Sequence, residues 1–264
     1  LITTRIVENK NEIKTLNMTR KSKRLSSDEQ QEVEAWIYQN NTEEVKMTDT
    51  MTINVKCKTE NQKALVNSIK EKEITVCSGP AGTGKTFLAC AEALKLIKRY
   101  SKYKKIVIVK SVTTLKNEEI GFLKGNLREK MEPFMFSFVH NFEKIVGQAI
   151  TSKLRELKTI EEMPIAYMRG INLDRSIIII DEAQNISQEN MRTILTRLGR
   201  DSKMIFLGDE RQQDSNGGNG LTFLMEHFTD IEEIGCVQFN KSDVVRNPLI
   251  AKIERVFDSL QNNK

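Results

Sequence analysis

The stretch Ile74-Thr75-Val76-Cys77-Ser78-Gly79-Pro80-Ala81-Gly82-Thr83-Gly84-Lys85-Thr86 decides the fold class of this chain. Its first five residues are apolar or small, the make-up of a buried strand, Ile74–Ser78. The next eight read G-x-x-x-x-G-K-T, and an Ala- and Leu-rich helix is expected from Lys85 to Tyr100. Strand, glycine loop and helix in that order make a cradle for phosphate. The glycines let backbone N–H groups turn inward with no Cβ in the way. The helix N-terminus adds its dipole and its free amides. In this setting Lys85 brings a positive charge to the β- and γ-phosphates, and Thr86 a hydroxyl ligand for Mg2+. Gly79, Pro80, Ala81, Gly82, Thr83, Gly84, Lys85 and Thr86 are thus the expected ATP-binding loop.

Working outward, a second apolar run, Ile177 to Ile180, ends in Asp181 and Glu182. Parallel strands present ligands at their carboxyl ends, so both acids are expected beside the glycine loop. Asp181 is the expected Mg2+ ligand, and Glu182 is placed to orient and deprotonate a water. A third strand, Lys203–Gly208, ends in Asp209 and is followed by Gln212, whose amide could sense the γ-phosphate through that water. Upstream, Gln62 could donate to and accept from an adenine edge. Further strands are expected at Lys105–Lys110, Pro164–Met168 and Gly235–Phe239, with Ser176–Asp181 completing the set. Helices are expected at Glu60–Lys70, over much of Leu123–Leu157, and at Gln188–Leu198, Gly220–His227 and Pro248–Leu260. Strands alternating with helices imply an α/β fold with a mostly parallel central sheet flanked by helices.

Residues 1–50 differ from the rest, being rich in Lys, Asn, Thr, Glu and Ser, with one amphipathic candidate at Asp28–Gln39 that carries the lone Trp36. Residues 1–24 hold seven basic groups and two acidic ones, a surplus equal to the net charge of +5 of all 264 residues. The pI near 8.9 therefore describes a basic arm on a neutral body, which weakens any reading of the body as a nucleic-acid surface. The expected division is a partly helical basic extension, 1–50, and one domain, 51–264. No apolar run approaches the length of a membrane span, and no signal-peptide pattern opens the sequence. Four cysteines without a CxxC pair, and two distant histidines, offer no zinc spacing and suit a reducing cytoplasm.

Asp181-Glu182-Ala183-Gln184, Gly208-Asp209-Glu210-Arg211-Gln212 and the upstream Gln62 resemble motifs of superfamily 1 helicases. A more specific resemblance is to the PhoH family of phosphate-starvation-inducible ATPases. It rests on the loop at Gly79–Thr86, on Gly121–Pro133 (GFLKGNLREKMEP), Ala166–Gly170 (AYMRG), Asp181–Asn185 (DEAQN), Leu195–Gly199 (LTRLG) and Asp243–Leu249 (DVVRNPL), and covers about residues 55–260. The resemblance implies a single RecA-like P-loop domain that binds and hydrolyses ATP with Mg2+, with a link to RNA metabolism. Residues 1–50 are too short, and lack the acids, for the ribonuclease domain that some members carry. Two departures stand out: the second core strand ends Val109-Lys110-Ser111, and Asp214 is followed by Ser215-Asn216-Gly217-Gly218.

Phosphoryl transfer is commonly helped by an arginine that neutralises charge on the γ-phosphate. With no second RecA-like domain in the chain, that arginine is expected in trans, from a neighbour in a homo-oligomer such as a ring. Arg246 is the first candidate, followed by Arg169 and Arg197. The leading expectation is an ATPase coupled to remodelling of RNA or single-stranded DNA, without a membrane. A nucleotide-dependent switch acting on a protein partner is the alternative, and a nucleotide kinase is weaker because Asp181 and Glu182 suit water activation.

Overall fold

The computed structural model describes residues 47–110, 127–212 and 219–245. The chain divides into two compact units, Leu1–Val45 and Lys46–Lys264, and every described residue lies in the second. The helices expected at Asp28–Gln39 and Pro248–Leu260 fall outside the described residues.

In chain order the elements are α1 (Glu60–Glu71), β1 (Ile74–Ser78), α2 (Lys85–Arg99), β2 (Lys105–Lys110), α3 (Leu127–Val146), α4 (Gln148–Glu156) and β3 (Ile160–Glu162). They continue with β4 (Ser176–Asp181), α5 (Gln188–Leu195), β5 (Lys203–Gly208), α6 (Gly220–His227) and β6 (Ile234–Gln238). The six strands form one sheet in the order β3-β2-β4-β5-β1-β6, and every pairing is parallel. This is the RecA-like α/β class.

The run Ile177–Ile180 shows why the sheet has two cores. Strand side chains alternate between faces. Ile177 and Ile179 join the cluster of α1, α2, α3 and α4, which includes Leu65, Leu88, Phe138, Phe142 and Leu154. Ile178 and Ile180 join the opposite cluster with Met191 and Ile194 of α5 and Leu221 and Leu224 of α6. All four isoleucines are fully buried, each worth about 1.5–3 kcal/mol in removed apolar surface. Their unbroken apolar run is what burial on both faces requires.

Local chemistry sets the helix starts. Thr59 caps α1 by accepting from the Gln62 amide, Ser187 caps α5 through Asn190, and Asn219 caps α6 through Thr222. No helix of the described residues is long and apolar enough to cross a membrane.

Four expectations need correction. Pro164–Met168 is no strand: Ile165–Met168 forms a 3-10 turn capped by Pro164, whose carbonyl accepts from Tyr167 N. The edge strand is the three-residue β3 just before it. Its two glutamates pair with Lys105 and Arg155, and those charges hide the strand from an apolar pattern. The helical stretch expected over much of Leu123–Leu157 is divided into α3 and α4 by Gly147 at φ +88°. The helix expected at Gln188–Leu198 stops at Leu195, because Leu198 leaves it to bridge Leu173. Finally, β6 lies one residue earlier than Gly235–Phe239, at Ile234–Gln238.

Candidate nucleotide site

The strand order places the chemistry. Strand β5 lies between β1 and β4, so the carboxyl ends of these three strands are neighbours, a setting where open parallel sheets bind ligands. The ends of β1, β5 and β4 carry Gly79, Asp209 and Asp181 respectively, and Lys110 at the end of β2 stands in register with Asp181.

The glycine loop is fixed from three sides. Gly79 N donates to Gly208 O at 3.1 Å, tying the loop to β5. Gln62 of α1 donates from Nε2 to Thr83 O at 2.9 Å, while its Oε1 accepts from Lys58 N at 2.6 Å. Past β6, Val245 N donates to Gly82 O at 3.1 Å. Gly79 has φ +153°, and a Cβ there would collide with Phe239, so a side chain at this position would force the loop off its support. Asp243 anchors the segment after β6. Burial opposes its ionisation, but hydrogen bonds from Asn240 N, Thr59 and Asn61 outweigh it and hold the carboxyl below its ordinary value.

Within the loop, the Lys85 ammonium donates to Gly79 O at 2.5 Å and Pro80 O at 2.8 Å. Burial lowers its pKa, and the nearby acids Asp209, Asp181 and Glu182 resist that shift. Thr86 Oγ1 lies 3.5 Å from Asp181 Oδ1. Burial, then repulsion by Glu182, raises Asp181 to about 6, against the pull of Lys110 and Lys85. Behind the loop, burial pushes the Cys77 thiol up to about 12 and raises Cys90 strongly, so neither is a nucleophile.

A divalent ion fits these residues. Thr86 Oγ1 and Asp181 Oδ1 put two hard oxygens side by side at the loop. Among the described residues no three His, Cys, Asp or Glu side chains cluster as a metal site. Mg2+ takes one or two protein oxygens and completes its shell with phosphates and water.

Glu182 begins a 3-10 turn, Ala183–Asn185, with left-handed backbone at φ 55° and ψ 40°. Its carboxylate accepts from Gln184 Nε2 at 2.7 Å. The remaining expected residues separate. Gln62 is 3% exposed and both ends of its amide are engaged by protein, so it braces the loop where an open adenine contact was expected. Gln212 is exposed, and among the described residues its backbone N–H is held by Asp209 O. The amide that does meet an acid of the site is Gln184, which sequence reading placed in a motif but gave no role. Lys110 was likewise read only as a departure, and its register with Asp181 is what identifies it. Arg197 is spent on Thr193 O, Ile171 O and Thr196 Oγ1. Arg169 is exposed without a partner among the described residues, and Arg246 lies outside them.

A glycine loop on β1, an acid pair on β4 and an intervening β5 define a P-loop nucleotide-binding protein of RecA-like fold. The sequence model described as PhoH-like protein matches residues 54–258, and the chain belongs to that family. It is 38% identical over 206 residues to a PhoH-like protein of Bacillus subtilis (strain 168), covering 77% of this chain and 64% of that one. With a PhoH-like protein of Synechocystis sp. the identity is 34% over 210 residues, covering 79% of this chain and 63% of that one. The chain thus spans less than two thirds of either relative. Among solved structures, the large terminase of a thermophilic bacteriophage in complex with ADP has a TM-score of 0.44 at 10% identity, over 74% of this chain and 49% of that chain.

Proposed function

We propose that the chain is a Mg2+-dependent ATPase that works as a homo-oligomer and couples turnover to single-stranded nucleic acid, RNA foremost. The observation that carries the ATPase reading is the convergence of Lys85, Thr86, Asp181 and Glu182 at the carboxyl ends of β1 and β4. The triphosphate would replace loop carbonyls as the partner of Lys85 and lie against the N–H groups of Gly79 to Thr86. Thr86 and Asp181 would hold Mg2+, which when bound neutralises charge on the β- and γ-phosphates. Glu182 takes a proton from the attacking water as the water oxygen bonds to γ-phosphorus and the β–γ bridging P–O bond breaks. Inorganic phosphate and ADP leave. An arginine reaching across a subunit interface completes charge neutralisation, with Arg246 and the exposed Arg169 as the candidates.

Coupling to nucleic acid is supported by family membership and by the basic extension at residues 1–24. The test is steady-state ATPase with and without single-stranded RNA and DNA, alongside Glu182→Gln. The expected result is slow basal turnover, stimulation by RNA, and a loss of at least about 100-fold in the variant. Hydrolysis that depends on Glu182 but ignores nucleic acid would replace coupling with a nucleotide switch acting on a protein partner.

A further inference from the structure

We infer that Gln184 is the positioning residue of this site, a splint that fixes the Glu182 carboxylate by locking it to the end of β5. The inference rests on the reading of Glu182 as general base.

Three observations carry it. First, Gln184 is 1% exposed and uses both ends of its amide: Nε2 donates to Glu182 Oε2 at 2.7 Å and Oε1 accepts from Asp209 N at 3.2 Å. A buried amide with both ends satisfied has one orientation, since rotating it by half a turn would face oxygen to oxygen and N–H to N–H. Second, the slot is built for it. A Cβ on Gly208 would collide with Gln184 Oε1 and approach Leu221 Cδ2, so only glycine at the end of β5 leaves room. Third, Glu182 has no other side-chain donor among the described residues, and its left-handed backbone gives it no neighbours of a regular helix or strand to lean on.

The chemistry of the contact matters. An uncharged donor orients a carboxylate without adding a positive charge beside it. With Oε2 engaged, Oε1 is the oxygen left to accept the proton of water. The other end of the splint is the first amide after β5, in the turn Asp209–Gln212 where Asp209 Oδ1 also receives Arg211 N. The base is thereby set by the relative position of two strand ends, and any displacement of that turn shifts the carboxylate. Misplacement of a reacting group by about 1 Å can cost about 100-fold in rate.

Two substitutions separate the parts. Gln184→Glu keeps an acceptor for Asp209 N but replaces the donor to Glu182 with a repelling oxygen. Gln184→Met keeps the shape and removes both bonds. In steady-state ATPase of the full chain, each is expected to lower kcat about 30- to 100-fold while KM for ATP stays within about threefold. Gln184→Glu in a Glu182→Gln background should cost little more than Glu182→Gln alone, because the splint has nothing left to position. Wild-type kcat in both single variants, with Glu182→Gln inactive, would overturn the splint and leave the general base standing. Additive losses in the double variant, or KM rising in step with falling kcat, would show a merely structural amide and also overturn it. Full turnover by Glu182→Gln would overturn the base and the splint together.

Discussion

Asp181 joins sequence to stability at the scale of one residue. It ends an apolar strand, so its carboxyl is carried out of water, and Glu182 beside it adds like charge. The folded carboxyl titrates at about 6 against an ordinary 3.8, so the folded state holds its proton more tightly than the unfolded chain does. Stability therefore falls as pH rises from about 4 through about 6, and the penalty is complete above that window. Asp181→Asn removes the penalty. In nucleotide-free protein it should raise the unfolding free energy by about 3 kcal/mol near pH 8 and by almost nothing near pH 4, while abolishing turnover. Urea unfolding at the two pH values checks this. An equal gain at both would assign the effect to packing, and no gain near pH 8 would mean that Lys110 and Lys85 already offset the cost.

At the scale of elements, what was legible depended on whether the signal was local. The glycine loop and the Ile177–Ile180 run carry their own context within about a dozen residues, so β1, α2 and β4 could be drawn from the sequence alone. Strand β3 could not, since two of its three residues are glutamates whose partners, Lys105 and Arg155, belong to other elements. Gln184 stands within a motif yet its task is hidden in the sequence, because the slot it fills exists only when β4 and β5 lie side by side and Gly208 has no side chain. Gln62 was legible as a residue of the site, but its contacts with Lys58 N and Thr83 O exist only in the fold. Its amide straps α1 to the loop, so Gln62→Ala would leave Lys58 N and Thr83 O unpaired at a cost of about 1–3 kcal/mol. The expected outcome is a roughly tenfold loss of nucleotide affinity, equal for ATP and GTP. Equilibrium binding of both nucleotides decides it, since an amide that reads adenine would weaken ATP alone.

Across the whole molecule, the unsettled group is the arginine. Arg169 follows the 3-10 turn Ile165–Met168 and is exposed, so it is offered as the arginine that serves a neighbour's nucleotide. Arg246 stands otherwise in the covalent chain, directly after Val245, whose N–H is bonded to Gly82 O of the same molecule. That tether holds Val245, the residue before Arg246, at the chain's own loop. Mixing variants tests both assignments. When Glu182→Gln and Arg169→Ala proteins, each inactive alone, are mixed in equal amounts and allowed to exchange subunits, about a quarter of the interfaces pair an intact Glu182 with an intact Arg169. About a quarter of wild-type turnover should return. The same mixture made with Arg246→Ala should regain nothing, because each chain would lack one group at its own nucleotide. Recovery with Arg246→Ala and none with Arg169→Ala would exchange the two roles, and recovery in neither mixture would place the arginine that crosses the interface elsewhere in the chain.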